Sequence, residues 1–502
     1  MTAETLRIGR FDARYRLAGA GTGARERLDG VLADVLDRVE GPAVDGIVCL
    51  RSVSAPVRLR LDATDAALAT VWGGALGLAL ERAVADGGSG VVRYGSRAEA
   101  LVDLALGVAR RDLGHAWAWR QLGLWRLPDG TGDARIADAS AGALRSEPQS
   151  IVAVLASVAR HGLLPQLLAS MSASAVETLA DAALAASGTP LLADLAAAAA
   201  NGYADRDVAS AAERVARTSA IAAAAAGALP AVLDARMRRA LAALALLETE
   251  PGVGSGPAAA AASLVAEIAR LLRPAFERPG RAARKPAAAH RASSAAVEEL
   301  GRDDASPAEP GADDASPAEP GRRDEASLAE PGADARTCAW TEAGGLLHLV
   351  HVVDRLGLPR SLQEDPALVA RPLRWSLHRL GCLLSGAADD DPAALAFSGL
   401  PPESPPPSED ELPAGTAETA ALDAAAERIA DAVRTALERT GEPAADVLSR
   451  VVERRAEIVA DPGWIEIRMG LDDVSTELRR TGLDLDPGWV PWLGVVLRFT
   501  YV

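Results

Sequence analysis

Apolar residues near the start of the chain follow two spacings, one typical of helices and one typical of strands. The helical spacing predicts three helices, over residues 24–40, about 65–85 and about 96–111. The last of these begins at Ser96 and has Glu99 three residues on, which is the pattern of a capping box. Near-alternation of apolar and polar residues predicts three short strands, over residues 5–17, 44–50 and 57–61. Residues 1–130 are therefore predicted to form a compact α+β domain.

Residues 150–275 have a different pattern, in which Leu and Val recur at helical spacing within a background of Ala. Gly and Pro interrupt this pattern at Gly162, Gly188–Pro190, Gly227–Pro230 and Pro251–Pro257. Because Ala has the highest helix propensity, the region is predicted to be a string of helices of roughly 10–25 residues. Ala buries little area, so these helices are expected to be only marginally stable.

Three similar units follow one another between residues 302 and 332, namely RDDASPAEPG, ADDASPAEPG and RRDEASLAEPG. They combine acidic residues, Pro and Gly with almost no large apolar residue, so they cannot bury enough surface to offset the entropy of ordering. Residues 279–336 are therefore predicted to be a disordered linker, and expansion of a spacer explains the repetition better than a functional motif does. The linker would tether two separately folded halves, and limited proteolysis would leave two protected fragments.

The segment after residue 337 mixes helical and strand patterns. It predicts helices over residues 346–356, 366–385, about 416–440 and 443–456, and an extended Pro-rich acidic loop over 400–415. Strands are predicted over residues 464–471 and 495–501, with a helix or turn over 473–481 between them. Residues 337–502 thus form a second predicted α+β domain. The whole chain is predicted to be mainly α, with small α+β units at both ends, an Ala-rich helical middle and a long disordered Pro/acidic linker.

Composition narrows the class of protein. The 502 residues include 52 basic and 69 acidic side chains, and the formal net charge of −17 argues against a nucleic-acid partner. The three cysteines, Cys49, Cys338 and Cys382, are too few and too scattered for a disulfide framework, so a reduced setting is expected. The least charged stretch, residues 218–233, is shorter than the roughly 20 strongly apolar residues of a membrane span. We therefore expect a cytoplasmic protein with no membrane span.

Histidines and cysteines of the C-terminal part suggest a metal site at first sight. His348 and His351 share a helical face, and Cys338, His378 and Cys382 lie in the same region. Their spacing fits neither a compact zinc finger nor HExxH, so surface or half-buried histidines on an amphipathic helix are the better interpretation. Nothing in the sequence places a base next to Cys382, so a cysteine nucleophile is not predicted.

Sequence motifs of the common enzyme classes are absent: there is no GxxxxGK[ST], no GxGxxG after a strand and no GxSxG. The acidic triplet Asp389–Asp391 precedes Pro392 and predicts a cap at a turn or helix start. The sequence therefore predicts no catalytic residue, no cofactor and no metal, and a protein that is not an enzyme. The alternative is an enzyme whose site is assembled from scattered residues, with Asp389–Asp391 and His348 as candidates.

The nine tryptophans stand out against four Phe and four Tyr. In an Ala-rich protein such rings more often supply core or interface anchors than a surface on which sugars or bases stack. We predict that Trp492, in a Pro-rich turn, is partly exposed and contacts a partner, and that Trp464 packs inside. Trp489 and Trp340 complete the candidate interface. The alternative is that Trp464, Trp489 and Trp492 all belong to the core.

One segment resembles a known family. Trp340-Thr-Glu-Ala-Gly-Gly-Leu-Leu-His-Leu-Val, continuing to Arg355-Leu-Gly-Leu-Pro359, is similar to the box (N/T)xAGLxLLxPFLxxLFxxLGL of contractile injection system tape-measure proteins. These proteins are encoded in phage-tail-like extracellular contractile injection clusters. The start of the chain, from Ile8 to Val39, is similar to the opening of the same proteins, and the ending from Asp461 resembles the endings of actinobacterial members.

The resemblance implies a tape-measure-like structural or assembly component that is incorporated into such a particle. Its partners would be the tube, baseplate or cap proteins of the particle. A length-setting ruler needs long helices, whereas helices of about 25 residues span only about 40 Å, so a role in assembly is expected rather than length control. The alternative is a regulatory scaffold that binds the AAA-type ATPase of the cluster through two tethered interaction domains.

Overall fold

A computed structural model describes residues 6–16, 23–39, 41–42, 44, 46–127, 132–199, 206–227, 233–273, 336–407, 414–439 and 447–502. The predicted linker falls almost entirely outside them, and so do residues 408–413 of the predicted Pro-rich loop. Within the described residues the fold is mainly α-helical with two small sheets, which confirms the predicted fold class.

Two helices near the start of the chain form a small core of their own. They are α1 (Ala24–Leu36) and α2 (Asp65–Asp86), and the side chain of Thr64 caps α2 by accepting the N–H of Ala67. Their facing stripes bury eight apolar side chains, Leu28, Val31, Leu32, Val35, Leu68, Trp72, Leu76 and Leu80. Both helices were predicted from this spacing, and both predictions are confirmed.

The first sheet has two strands, β1 (Ile47–Leu50) and β2 (Val91–Tyr94), which pair antiparallel with Cys49 opposite Val92. The strands predicted over residues 5–17 and 57–61 are wrong, since residues 6–16 and 57–61 have no strand partner among the described residues. The alternation in these stretches has another cause. Their apolar side chains pack on the core of α1 and α2 without joining a ladder, among them Leu6, Tyr15, Val57 and Leu59.

Eleven helices follow in the described residues up to Arg273. They are α3 (Arg97–Arg110), α4 (Ala116–Gln121), α5 (Asp133–Arg145), α6 (Ile151–Arg160), α7 (Leu164–Ser170), α8 (Ala173–Ala186), α9 (Leu192–Ala199), α10 (Arg206–Thr218), α11 (Ala220–Gly227), α12 (Ala235–Thr249) and α13 (Ala258–Leu271). The string of helices predicted over residues 150–275 is confirmed by α6 to α13, although α7, with 7 residues, is shorter than the predicted 10–25. From Ala240 to Leu247 every side chain of α12 is buried, so this part of the helix is apolar on all sides and lies inside the helical layer that α3 to α13 form.

Seven helices lie in the described part of the C-terminal region. They are α14 (Val350–Arg355), α15 (Leu358–Glu364), α16 (Leu373–Ser385), α17 (Pro392–Phe397), α18 (Thr416–Glu438), α19 (Val447–Val452) and α20 (Thr476–Thr481). The helix predicted over 346–356 begins as a 3₁₀ turn, Gly344–Leu349, and the helix predicted over 366–385 begins only after Pro372. Residues 443–446 of the helix predicted over 443–456 lie outside the described residues, and the helix ends at Val452, before the strand that begins at Ala456.

The second sheet has five strands in the order β3 (Thr337–Thr341), β4 (Ala456–Asp461), β5 (Trp464–Met469), β7 (Val495–Tyr501) and β6 (Gly488–Val490). Only β5 and β7 run parallel; the other neighbours are antiparallel. Ile458, Ile467 and Phe499 share a register row on the buried face, where the sheet covers the C-terminal core. The strand predictions for β5 and β7 are confirmed, and β3, β4 and β6 were not predicted.

The parts before and after the linker pack together, which differs from the expectation of two separately folded halves. The described residues on both sides belong to one compact unit. Glycines allow the close approach: a Cβ on Gly252 would lie 2.2 Å from Leu373, and one on Gly494 would lie 2.8 Å from Pro251. The side chain of Gln363 also donates to the carbonyl of Gly252 at 3.0 Å. These contacts join α12 and the turn after it to the C-terminal region.

Among the described residues, α2 is long and apolar enough to cross a membrane by length and composition, and 22% of its most apolar window is buried. Residues 148–160 and α7 pass the same test only if they are counted as one span, although they are bent by 119°. Core helices of soluble proteins also pass, so these helices are weak evidence for a membrane span.

Candidate functional site

A cleft of about 1500 Å³ opens between the helical layer and the C-terminal region. One wall is formed by one side of α6 along its length and by the C-terminal ends of α8, α10 and α12. The start of α16, the loop 399–407 and the turn between β4 and β5 form the other. Clefts between two packed parts of a chain are common ligand sites, so this cleft is a candidate functional site.

Two charged residues at the cleft link the ends of two helices. Glu250, at the C-cap of α12, accepts the N–H of Leu373, the first residue of α16. Arg374 donates in return to the carbonyl of Glu248 in the last turn of α12, at 2.9 Å. Burial raises the pKa of Glu250 to about 7, against the attraction of Arg214 and Arg374. A negative group thus faces a helix N-terminus and a positive group faces a C-terminus, which is the favourable arrangement at both ends.

A second ion pair lies at the same cleft. Arg371 binds both carboxylate oxygens of Glu418, at 2.7 and 3.1 Å, and its guanidinium lies 4.5 Å from the centre of the Trp375 ring. Glu418 also accepts the N–H of Gly415 at the start of α18. The hydrogen bond from Arg371 is the main cause that holds the pKa of Glu418 below its ordinary value. This carboxylate joins the segment before α16 to the start of α18.

Glu248 binds the N-terminal end of α11. Its carboxylate accepts from the Ser219 hydroxyl at 2.5 Å and from the N–H groups of Ala220 and Ile221 at 3.1 Å, which open α11. Glu248, Glu250 and Glu418 therefore each satisfy the free N–H groups of a helix start. These five charged side chains of the cleft, Glu248, Glu250, Arg371, Arg374 and Glu418, thus bind protein groups, and the arrangement supports the docking of the two parts of the chain.

The predicted interface residues lie in three different environments. Trp340, on the edge strand β3, is 60% exposed, and the guanidinium of Arg455 lies 4.8 Å from its ring centre. Trp489 lines the cleft on the opposite edge strand, β6, and its Nε1–H donates to the carbonyl of Ala186 at 2.8 Å. Trp492 belongs to the core. The structure therefore does not bring the three rings together on one surface.

The prediction of an exposed Trp492 is wrong. Its ring is 5% exposed, and its Nε1–H donates to Asp354 at 3.2 Å. The turn is Pro-rich as the sequence indicated, but it folds back onto the core and not into solvent. Trp464, predicted to pack inside, is half-buried at the start of β5. Of the candidates, only Trp340 presents most of its ring to solvent.

The histidines and cysteines form no metal site in the part of the chain that the structure describes. His348 and His378 are buried and not on the surface, which corrects the prediction for them. Burial lowers the pKa of His348 to about 3, and its ring packs on Phe499 with centres 4.8 Å apart. His351, half-buried as predicted, has Nε2 2.8 Å from the carbonyl of Leu485.

The two side chains considered as catalytic candidates, Cys382 and Asp391, contact other groups of the protein. Cys382 Sγ lies 3.9 Å from His378 Nε2, but burial raises the pKa of the thiol to about 12, so the reactive thiolate is not formed near neutral pH. Asp391 caps α17 by accepting the N–H of Ala393 at 2.8 Å and also accepts from the Thr341 hydroxyl. The predicted cap at this triplet is confirmed.

One polar cluster was missed by the sequence analysis. Oδ2 of Asp103 on α3 lies 2.7 Å from the Tyr94 hydroxyl, 2.8 Å from Trp119 Nε1 and 3.0 Å from His115 Nδ1. Burial opposes the ionisation of Asp103, but the hydrogen bonds from His115 and Tyr94 hold its pKa below the ordinary value. A carboxylate between Leu101 and Leu104 on a buried helix face was the signal that could have revealed it.

Comparison with known proteins identifies no relative. No protein-family model matches the chain, and neither a curated protein nor a solved structure is detectably similar to it.

Proposed function

We propose that this chain is a non-enzymatic, tape-measure-like assembly component of a phage-tail-like contractile injection particle. Its partners are protein subunits of the tube, baseplate or cap. The proposal begins from the likeness of residues 340–359 to the box of that family. The observation that carries it is the placement of Trp340, the first residue of that segment.

The segment combines an exposed ring with a rigid support. Trp340 is 60% exposed, whereas Leu346 and Leu347, a few residues on, have no exposed surface at all. An exposed aromatic ring loses little rotamer entropy on binding, and rings held this way are typical anchors of protein–protein contacts. The buried part of the segment fixes the position of β3 through the core. This distribution supports a binding role for residue 340 and a structural role for the rest of the segment.

Co-purification tests the proposal. The chain would be tagged in its native gene cluster, and the proteins that purify with it would be identified. A sheath–tube particle that carries the chain is the expected result. A complex with the ATPase of the cluster and without particles would favour the scaffold alternative and contradict the proposal.

A further inference from the structure

The two edges of the five-stranded sheet differ in how they are protected. The β6 edge is only three residues long, lies between Pro487 and Pro491, and is tied to the helical layer through Trp489 and Ala186. Short length, flanking Pro and a covering element are the usual devices that keep an edge strand from pairing with another chain. This edge therefore cannot accept a further strand.

The β3 edge has none of these devices. Its five residues, Thr-Cys-Ala-Trp-Thr, contain no Pro, no Lys and no charge, and in the described part of the chain only β4 pairs with it. A strand that leaves its outer N–H and C=O groups unpaired is a template for strand addition. The N–H and C=O groups on the outer side of Cys338–Thr341 therefore offer a pairing site.

The side chains beside this edge fit a second strand. Cys338 and Trp340 are exposed on the solvent face of the sheet, and Glu342, just after the strand, has a side chain that is 87% exposed. On the other face Thr341 is buried, and its hydroxyl donates to Asp391 at the start of α17, so the protein already covers that face. These features leave the edge open on the solvent face of the sheet.

We propose that the outer edge of β3 pairs antiparallel with β3 of a second copy of this chain, about a two-fold axis near Trp340. Antiparallel pairing of identical strands places the same residues on both sides of the axis, so every contact forms twice. The result is one sheet that continues through both copies. The inference concerns the purified chain and is tested in the absence of the particle.

Charge at the edge favours a second copy as the occupant. The chain carries a net charge of −17, so two copies repel each other over most of their surface. Beside β3 lies one exposed pair of opposite charges, because the guanidinium of Arg455 lies 3.9 Å from the carboxylate of Glu342 and both side chains are mostly exposed. Each copy thus brings one cation and one anion to the axis, which makes the edge complementary to itself.

A native cysteine reports on this contact. Of the three cysteines, Cys49 is buried and Cys382 is half-buried, and burial raises the pKa of their thiols to about 11 and about 12. Cys338 is exposed on β3 itself. The rate at which the folded chain reacts with a maleimide therefore measures the exposure of this edge.

The test measures mass and Cys338 reactivity of the full chain together, by sedimentation and by maleimide labelling over a range of protein concentrations. We expect a species of twice the 51.7-kDa chain mass, and labelling of Cys338 that slows by about tenfold or more as this species forms. Trp340→Lys introduces the usual edge protection and should give a monomer whose Cys338 labels fast at every concentration. Val369→Lys, at a surface position that is 63% exposed, is the matched control and should remain dimeric.

A third variant, Glu342→Lys, separates an interface effect from misfolding, because its side chain has almost no packing to lose. It should weaken the dimer while the melting temperature of the monomer stays unchanged. Three outcomes would overturn the inference: a chain that is monomeric at all concentrations, a dimer that Trp340→Lys and Glu342→Lys leave intact, or Cys338 protected only in an assembled particle. The last outcome would assign the edge to a different protein.

Discussion

Glu250 and Arg374 each hold the end of the helix that carries the other. The Glu250 carboxyl, at the end of α12, accepts the first N–H of α16, and Arg374, in the first turn of α16, donates to a carbonyl in the last turn of α12. The two helices lie on opposite sides of the linker in the sequence. This reciprocal contact joins the helical layer to the C-terminal region, and ionisation of the Glu250 carboxyl weakens the fold because that carboxyl is buried.

Stability should fall as the pH rises through the range in which Glu250 titrates. Its pKa is about 7 in the folded chain, against an ordinary value of 4.5, so between these values the folded state holds a proton that the unfolded state has lost. Glu250→Gln keeps an acceptor for the Leu373 N–H without the charge. The variant should match the parent near pH 4.5 and exceed its unfolding free energy by about 2–4 kcal/mol at pH 8.

Urea denaturation of both proteins between pH 4.5 and pH 8 checks this difference. Glu403→Gln is the control, because Glu403 lines the same cleft but is exposed. Equal pH dependence of the Glu250→Gln variant and the parent would show that the carboxyl is not held in the way described.

Replacement of Asp103 should destabilise the fold more than replacement of most other polar residues. Asp103→Asn removes the charged acceptor shared by Tyr94, His115 and Trp119, and should lower the free energy of unfolding by about 2–4 kcal/mol.

The hydrogen bond to Asp103 raises the pKa of His115 above 6.5. The stability that this bond contributes is therefore present at pH 6 and is lost as the pH rises through the raised pKa. An NMR titration of the parent and the variant should show the pKa of His115 fall on substitution. Asp138→Asn, on the exposed face of α5, is the control.

Truncation of two tryptophans should change the free energy of unfolding to very different extents. Trp492→Ala empties a core position and should cost about 3–5 kcal/mol. Trp340→Ala removes an exposed ring and should change the stability of the monomer by less than about 0.5 kcal/mol. Thermal unfolding at low protein concentration separates the two. Equal losses would mean that the edge strand is packed against something that the described residues do not include.

Gly345 should tolerate no side chain. A Cβ at this position would lie 1.8 Å from the carbonyl oxygen of Val451 and 2.9 Å from its carbonyl carbon, so backbone would have to move. Gly345→Ala should therefore destabilise by more than about 3 kcal/mol or prevent folding. Gly357→Ala is a useful comparison, because the strain there comes from a positive φ and no atom lies near. Circular dichroism melts of both variants would show whether close packing or backbone conformation matters more.

Local patterns in the sequence predicted most helices, since their apolar stripes and caps lie within a few residues. The stripe of α1 and the capping pair Ser96 and Glu99 are examples, and in the structure the Ser96 hydroxyl accepts the N–H of Glu99. Strands were predicted less well because each depends on a partner far away in the chain. β3 is paired with β4, more than a hundred residues later, and nothing in its own five residues indicates that pairing.

The environments of single side chains could not be predicted for the same reason. Trp492 lies in a Pro-rich turn that is typical of the surface, and its burial depends on Asp354 and the core more than a hundred residues earlier. The link between Glu250 and Leu373 likewise joins residues separated by the whole linker. Trp340 was chosen because a large ring in an Ala-rich chain is often an anchor; the structure shows that it is exposed, and its role at an interface stays a prediction.

The proposed role of Trp340 in particle assembly can be tested most directly by the amount of chain that particles retain. Sheath–tube particles would be purified from cells whose gene cluster carries the parent chain, Trp340→Ala, or the surface control Val369→Ala, and the ratio of chain to sheath protein would be determined by quantitative mass spectrometry. We predict that the parent and Val369→Ala are retained equally, and that Trp340→Ala is reduced by about tenfold or more. Particles that form normally and contain none of the parent chain, or that retain Trp340→Ala as well as the parent, would contradict the account.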